Sequence, residues 1–132
     1  MKDDSLTRQA RLFRTLMHPA RLAILEALRN GEQCVCHLEA LLGYRQAYVS
    51  QQLAVLRKAQ LIIDRRDGLN VFYRITQPEI LSLLDTARAL VGGTECADVH
   101  TATEVDCLCP KCAREHMTCS TSVHQVDHRV AE

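Results

Sequence analysis

Residues 33–58 read QCVCHLEALLGYRQAYVSQQLAVLRK. From Val35 to Leu42 the apolar side chains Leu38, Leu41 and Leu42 recur at helical spacing, and Gly43 stops the run. From about Gln46 to Ala59, Val49, Leu53 and Leu56 stand at i, i+4 and i+7, which predicts a second helix anchored along one stripe. Two short helices joined by a glycine turn form a helix-turn-helix. At about 100° per residue, the face opposite the stripe carries Ala47, Gln51 and Lys58, with Tyr48 and Ser50 at its margins. That polar face is of the kind that enters a DNA groove.

Upstream, Leu6, Ala10, Phe13 and Met17 fall at i, i+4, i+7 and i+11, so residues 5–17 should form an amphipathic helix with Ser5 as its cap. Pro19 disfavours helical geometry at His18 yet suits the first turn of a new helix, expected from about Pro19 to Arg29. Its Leu22-Ala23-Ile24-Leu25 and Ala27-Leu28 leave little polar face, which places it at the centre of the core. Downstream the period changes. Residues 61–66 and 70–75 are β-branched and aromatic runs joined through Asp67-Gly68, a hairpin in position to be a wing, with Arg65 and Arg66 near its tip. Pro78 then opens a last helix to about Val91, with Ile80, Leu84, Ala87 and Val91 on one stripe and Leu81, Leu83 and Leu90 widening it. The excess apolar face on this helix points to a homodimer, formed together with the first helix.

A core of Leu, Ile, Val and Ala with no Trp suits helices packing on helices, so the expected class is mostly α with a two-stranded β-hairpin. Residues 1–92 should form this DNA-binding and dimerisation domain, and residues 93–132 a Cys/His-rich tail, flexible or organised by metal. The zero net charge conceals an asymmetry: residues 1–91 hold 13 Lys and Arg against 9 Asp and Glu, residues 92–132 hold 3 against 7. The body can face phosphate and the tail cannot. No apolar run resembles a secretory signal or a membrane span, so a cytoplasmic protein is expected, with no membrane partner. In that reducing compartment seven Cys are expected to be thiolates, for metal binding or redox chemistry.

The order helix, helix, helix-turn-helix, hairpin, helix resembles the ArsR/SmtB family of arsenic- and metal-sensing repressors over residues 8–91. The resemblance is carried by His18-Pro19-x-Arg21-Leu22-x-Ile24-Leu25, by Cys34-Val35-Cys36-x-Leu38, by Ser50-x-x-Leu53-x-x-Leu56-Arg57 and by Arg65-Arg66-x-Gly68-x-x-x-x-Tyr73. It implies a homodimeric winged helix-turn-helix that holds operator DNA until a metal or metalloid binds. The Cys-Val-Cys element looks like the family's thiolate sensor of arsenite or of cadmium and lead. The family commonly has His where this chain has Gln52, a departure that bears on coupling or base preference. The N-terminal arm lacks the cysteines of the cadmium and lead sensors, and the last helix lacks the ligand pattern of the zinc sensors.

On an ideal helix Cys34 and Cys36 point about 200° apart, so sharing an ion is expected to require that the start of the third helix unwind. Two thiolates are too few: arsenite or antimonite prefers three sulfurs, and zinc or cadmium takes about four ligands. The missing ligands are expected from Cys96, Cys107, Cys109 and Cys112. Those thiols complete the Cys34 and Cys36 site, or form a separate cluster, or play little part. For double-stranded DNA, Gln46, Tyr48, Ser50 and Gln51 are candidate base readers, and Arg45, Arg57, Lys58, Arg65 and Arg66 candidate backbone or minor-groove contacts. Two competing classes are a repressor of the same fold that senses thiol oxidation or persulfide, for which Cys109 and Cys112 are the better pair, and a metal-storage protein. No phosphate loop or nucleophile-base arrangement suggests an enzyme.

Overall fold

The computed structural model describes residues 4–92, five helices and a small antiparallel sheet. Helix α1 (Ser5–Leu16) is capped by Asp4, whose Oδ1 accepts from the Thr7 N–H at 2.8 Å. The expected cap, Ser5, is instead the first helical residue, because Asp4 has the extended backbone that lets its side chain fold back on the first turn. That backbone contact holds the Asp4 carboxyl below its ordinary pKa. His18 is extended and caps α2 (Pro19–Ala27) through Nδ1, which accepts from the Ala20 N–H at 3.3 Å. Helix α2 stops two residues short of the expected Arg29. Its Ala20, Ile24, Leu25 and Ala27 are buried, the central position its composition required.

The helix-turn-helix is α3 (Val35–Leu42) and α4 (Gln46–Lys58), joined through Gly43, whose φ of 71° is the left-handed setting that ends α3. Val49, Leu53 and Leu56 are fully buried, as their spacing predicts. The wing is β2 (Ile62–Asp67) and β3 (Asn70–Ile75), closed by the two-residue turn Gly68-Leu69. Gly68 takes φ of 60° while Leu69 does not, the arrangement of a type II′ hairpin. A third strand went unforeseen: β1 (Gln33–Cys34) pairs antiparallel with β3, in the order β1-β3-β2, with Cys34 opposite Phe72. Two residues are too short for alternation to register.

After α4 the chain turns in a Schellman motif, with Gln60 N–H on Arg57 O and Leu61 N–H on Leu56 O, and Gln60 holding φ of 63°. A side chain with Cβ is strained there, so Gln60→Gly is expected to raise stability by about 0.5–1 kcal/mol, read as a higher urea midpoint at unchanged slope.

Helix α5 (Glu79–Leu90) packs Ile80 and Leu84 into the core. It is tied to α2 by charge. Glu26 is 6% exposed and meets both Arg29, at 2.8 Å, and Arg88, while Asp85 takes Arg29 at 2.7 Å. Burial pushes the Glu26 carboxyl up, but the two guanidiniums outweigh it and the net shift is downward from 4.5. A carboxyl lowered on folding stabilises above its unfolded pKa, and that contribution is lost as pH falls through the folded value. Glu26→Gln is therefore expected to cost about 2–4 kcal/mol at pH 7, somewhat under the usual figure for a broken buried pair because both arginines are partly exposed. The deficit relative to wild type should shrink as denaturation is measured progressively below pH 4.5.

Candidate metal centre and nucleic-acid interface

Cys34 is 2% exposed and Cys36 lies at the surface, and neither is in a disulfide. Cys34 is not in the helix at all. It is the last residue of β1 and the cap of α3, with extended backbone (φ −81°, ψ 160°), and its Sγ accepts from the His37 N–H at 3.2 Å. Cys36 sits in the first turn of α3, and the two Sγ atoms are 2.7 Å apart. The expectation that α3 must unwind before the thiols can share an ion is thus corrected. The 200° divergence holds only if both residues are helical, and the step into β1 swings Cys34 back over the first turn.

The donor set suits a soft ion, since the sulfurs converge on one side of a capped helix terminus. No group of three or more His, Cys, Asp or Glu that could hold a metal lies among the described residues. The further ligands expected at Cys96, Cys107, Cys109 and Cys112 fall outside the described residues. Beside the thiols is a cavity of about 160 Å³ lined by Cys34, Val35, Cys36, Gln46, Leu69, Asn70 and Val71. It lies between the first residue of α4 and the tip of the wing, which residue spacing could not reveal.

On α4, Gln46, Ala47, Ser50, Gln51, Arg57 and Lys58 are exposed, and Arg45 precedes them, also exposed. Tyr48 is half-buried. Its hydroxyl lies 3.3 Å from His18 Nε2 and its ring stands edge-on to Tyr44, so it braces α4 against the start of α2. Arg57 pairs with Asp64 at 3.5 Å. Arg65 meets Glu32 at 2.6 Å and lies over the Phe72 ring, and the Glu32 contact raises its pKa. Arg66, opposite Val71, is exposed on the wing.

Residues 18–64 match the model of the family described as "Bacterial regulatory protein, arsR family". The chain is 42% identical to the biofilm growth-associated repressor of Agrobacterium fabrum over 89 residues, which are 67% of this chain and 76% of that one. The chain belongs to the ArsR/SmtB family of transcriptional repressors. Among solved ArsR-type folds, the crystal structure of Rv0081 from Mycobacterium tuberculosis superposes with a TM-score of 0.61 at 40% identity, covering 67% of this chain and 91% of that one. The homodimeric winged helix-turn-helix domain Mb0332 from Mycobacterium bovis, described as a possible ArsR-family regulator, gives 0.59 at 28% identity, covering 66% and 81%. In this ArsR-family chain Gln52 does not lie on the exposed face of α4. It is 7% exposed and accepts from Arg21 Nε at 2.8 Å. Helical arithmetic foreshadows it, because residue 52 falls between Val49 and Leu56 on the anchored stripe.

Proposed function

We propose that this chain represses transcription as a homodimer that grips operator DNA through α4 and the wing, and that a thiophilic ion at Cys34 and Cys36 releases it. The ion is arsenite or antimonite, or else Cd, Pb or Zn, with Cys96, Cys107, Cys109 and Cys112 supplying the further sulfurs. The observation that carries this reading is the meeting of the two sulfurs 2.7 Å apart at the junction of β1 and α3. Gln46, Ser50 and Gln51 read bases, while Arg45, Arg57, Lys58 and Arg66 contact backbone or minor groove. Tyr48 supports the reading helix from behind, and Arg65 shapes the wing through Glu32 as well as adding charge.

The proposed coupling rests on where the two thiols sit. An ion held by both thiolates would tie Cys34, the last residue of β1, to Cys36 in the first turn of α3. Cys34 is held to Phe72 by strand pairing, whereas Cys36 moves with α3. Ligation across that junction would shift α3 relative to the wing, and α3 is joined to α4 across Gly43. Ligation also draws Cys34 Sγ away from the His37 N–H and weakens the cap of α3. Arsenite bound this way exchanges its hydroxyls for thiolates with loss of water and no redox step.

The dimer surface is the apolar groove of about 600 Å³ between α1 and α5, lined by Phe13, Met17, Leu22, Leu83 and Ala87 among others. Leu6, Phe13 and Met17 are 72, 54 and 78% exposed, and exposed apolar surface beside such a groove marks an interaction site. The homodimeric Mb0332 domain supports dimerisation as such.

Thiolate charge-transfer absorption tests the site. Adding cadmium to the full chain should raise a near-ultraviolet band that Cys34→Ser and Cys36→Ser each diminish, and an unchanged band in both variants would remove these residues from the site. The sulfur proximity also favours a second reading, in which peroxide or polysulfide takes two electrons from the pair and leaves a disulfide. Release of DNA without metal, reversed by dithiothreitol, distinguishes it.

A further inference from the structure

Gln52 is a polar side chain set in the apolar seam of α4, three residues after Val49 and four before Leu56. A buried amide oxygen without a donor is costly, and here the donor comes from another helix: Arg21 Nε on α2, at 2.8 Å. The same guanidinium donates through Nη1 to the Thr15 carbonyl oxygen at 3.0 Å. Thr15 O lies in the last turn of α1, where carbonyls have no partner within their own helix. One planar cation therefore joins α1, α2 and α4.

We propose that Arg21 and Gln52 form a positioning strut that sets the rotation of α4 from the placement of α1, so that groove reading depends on dimer geometry. This rests on α4 as the groove-reading helix and α1 as part of the dimer face. Val49, Leu53 and Leu56 hold α4 against the core, but apolar contact has no direction and tolerates rotation about the helix axis. A hydrogen bond to a rigid guanidinium fork does have direction. A turn of about 10–20° is enough to lose productive geometry at the reading side chains. Gln52 touches no base in this arrangement; it acts through the setting of Gln46, Ser50 and Gln51.

The test uses the full chain and two fluorescent duplexes, one enriched from a random library by the wild-type protein and one scrambled. Gln52→Met keeps the volume but leaves Arg21 Nε without its acceptor, and Gln52→Glu keeps that acceptor. With the Met variant the dissociation constant for the enriched duplex should rise about 10- to 100-fold, while that for the scrambled duplex moves less than about threefold. The Glu variant should stay within about threefold of wild type on both, and both variants should sediment as dimers. Should Gln52→Met not fold, Arg21→Lys, which keeps the charge and loses the fork, is expected to show the same split. Wild-type affinity in the Met variant, equal losses in Met and Glu, or parallel losses on both duplexes would overturn the strut. If the wild-type chain enriches no duplex, the reading of α4 itself falls, and the strut with it.

Discussion

Replacing Cys34 and Cys36 together by serine is expected to leave operator binding within about threefold of wild type while abolishing its release by arsenite, antimonite, cadmium, lead or zinc. Serine Oγ caps a helix as well as Cys34 Sγ does, so the fold of the α3 terminus survives the change. What disappears is the soft donor pair, for which hydroxyls are no substitute at neutral pH. In the wild type a saturating ion should weaken binding by about 5- to 150-fold, the ordinary range of coupling between two sites in one small protein. Fluorescence anisotropy on an enriched duplex reads both effects. Normal release in the double variant would move the sensor elsewhere, to the tail thiols first of all.

Phe13→Asp is expected to have the other large effect. Phe13 is 54% exposed and lines the groove between α1 and α5, yet the core described above does not include it, so the substitution should spare the fold of one protomer. In a dimer it places two carboxylates inside an apolar interface. Sedimentation should then report a monomer with wild-type helicity. Operator affinity should fall by about 100- to 10,000-fold, because the second half-site no longer binds as an intramolecular event. A dimeric Phe13→Asp chain with full affinity would place the interface on another surface.

The helices were legible because their signals are local. Pro19, Gly43 and the spacing of Val49, Leu53 and Leu56 mark a start, a stop and a buried face without reference to the rest of the chain. The wing was legible for the same reason, through Asp67-Gly68 between two β-branched runs. What the sequence hid was non-local. The strand at Gln33 and Cys34 exists only because Tyr73 and Phe72 lie across from it, and that pairing changes Cys34 from a helical residue into a cap. The relative geometry of the two thiols was misjudged while both were placed in one helix. Tyr48 and Arg65 looked like free surface groups by spacing, and only the fold brings them to His18 and Glu32. Gln52 drew notice as a departure from the family pattern, while its partner Arg21, 31 residues earlier, could be found only in three dimensions.

The central claim is that ion capture at the junction of β1 and α3 is what loosens the grip on DNA. The most direct test follows two signals in one cuvette as cadmium is added to the protein bound to its labelled duplex: the thiolate charge-transfer band and the anisotropy of the DNA. The two should move along one saturation curve, with the band rising as the duplex is released. A band that reaches its plateau, and depends on Cys34 and Cys36, while the anisotropy stays at its starting value would contradict the claim.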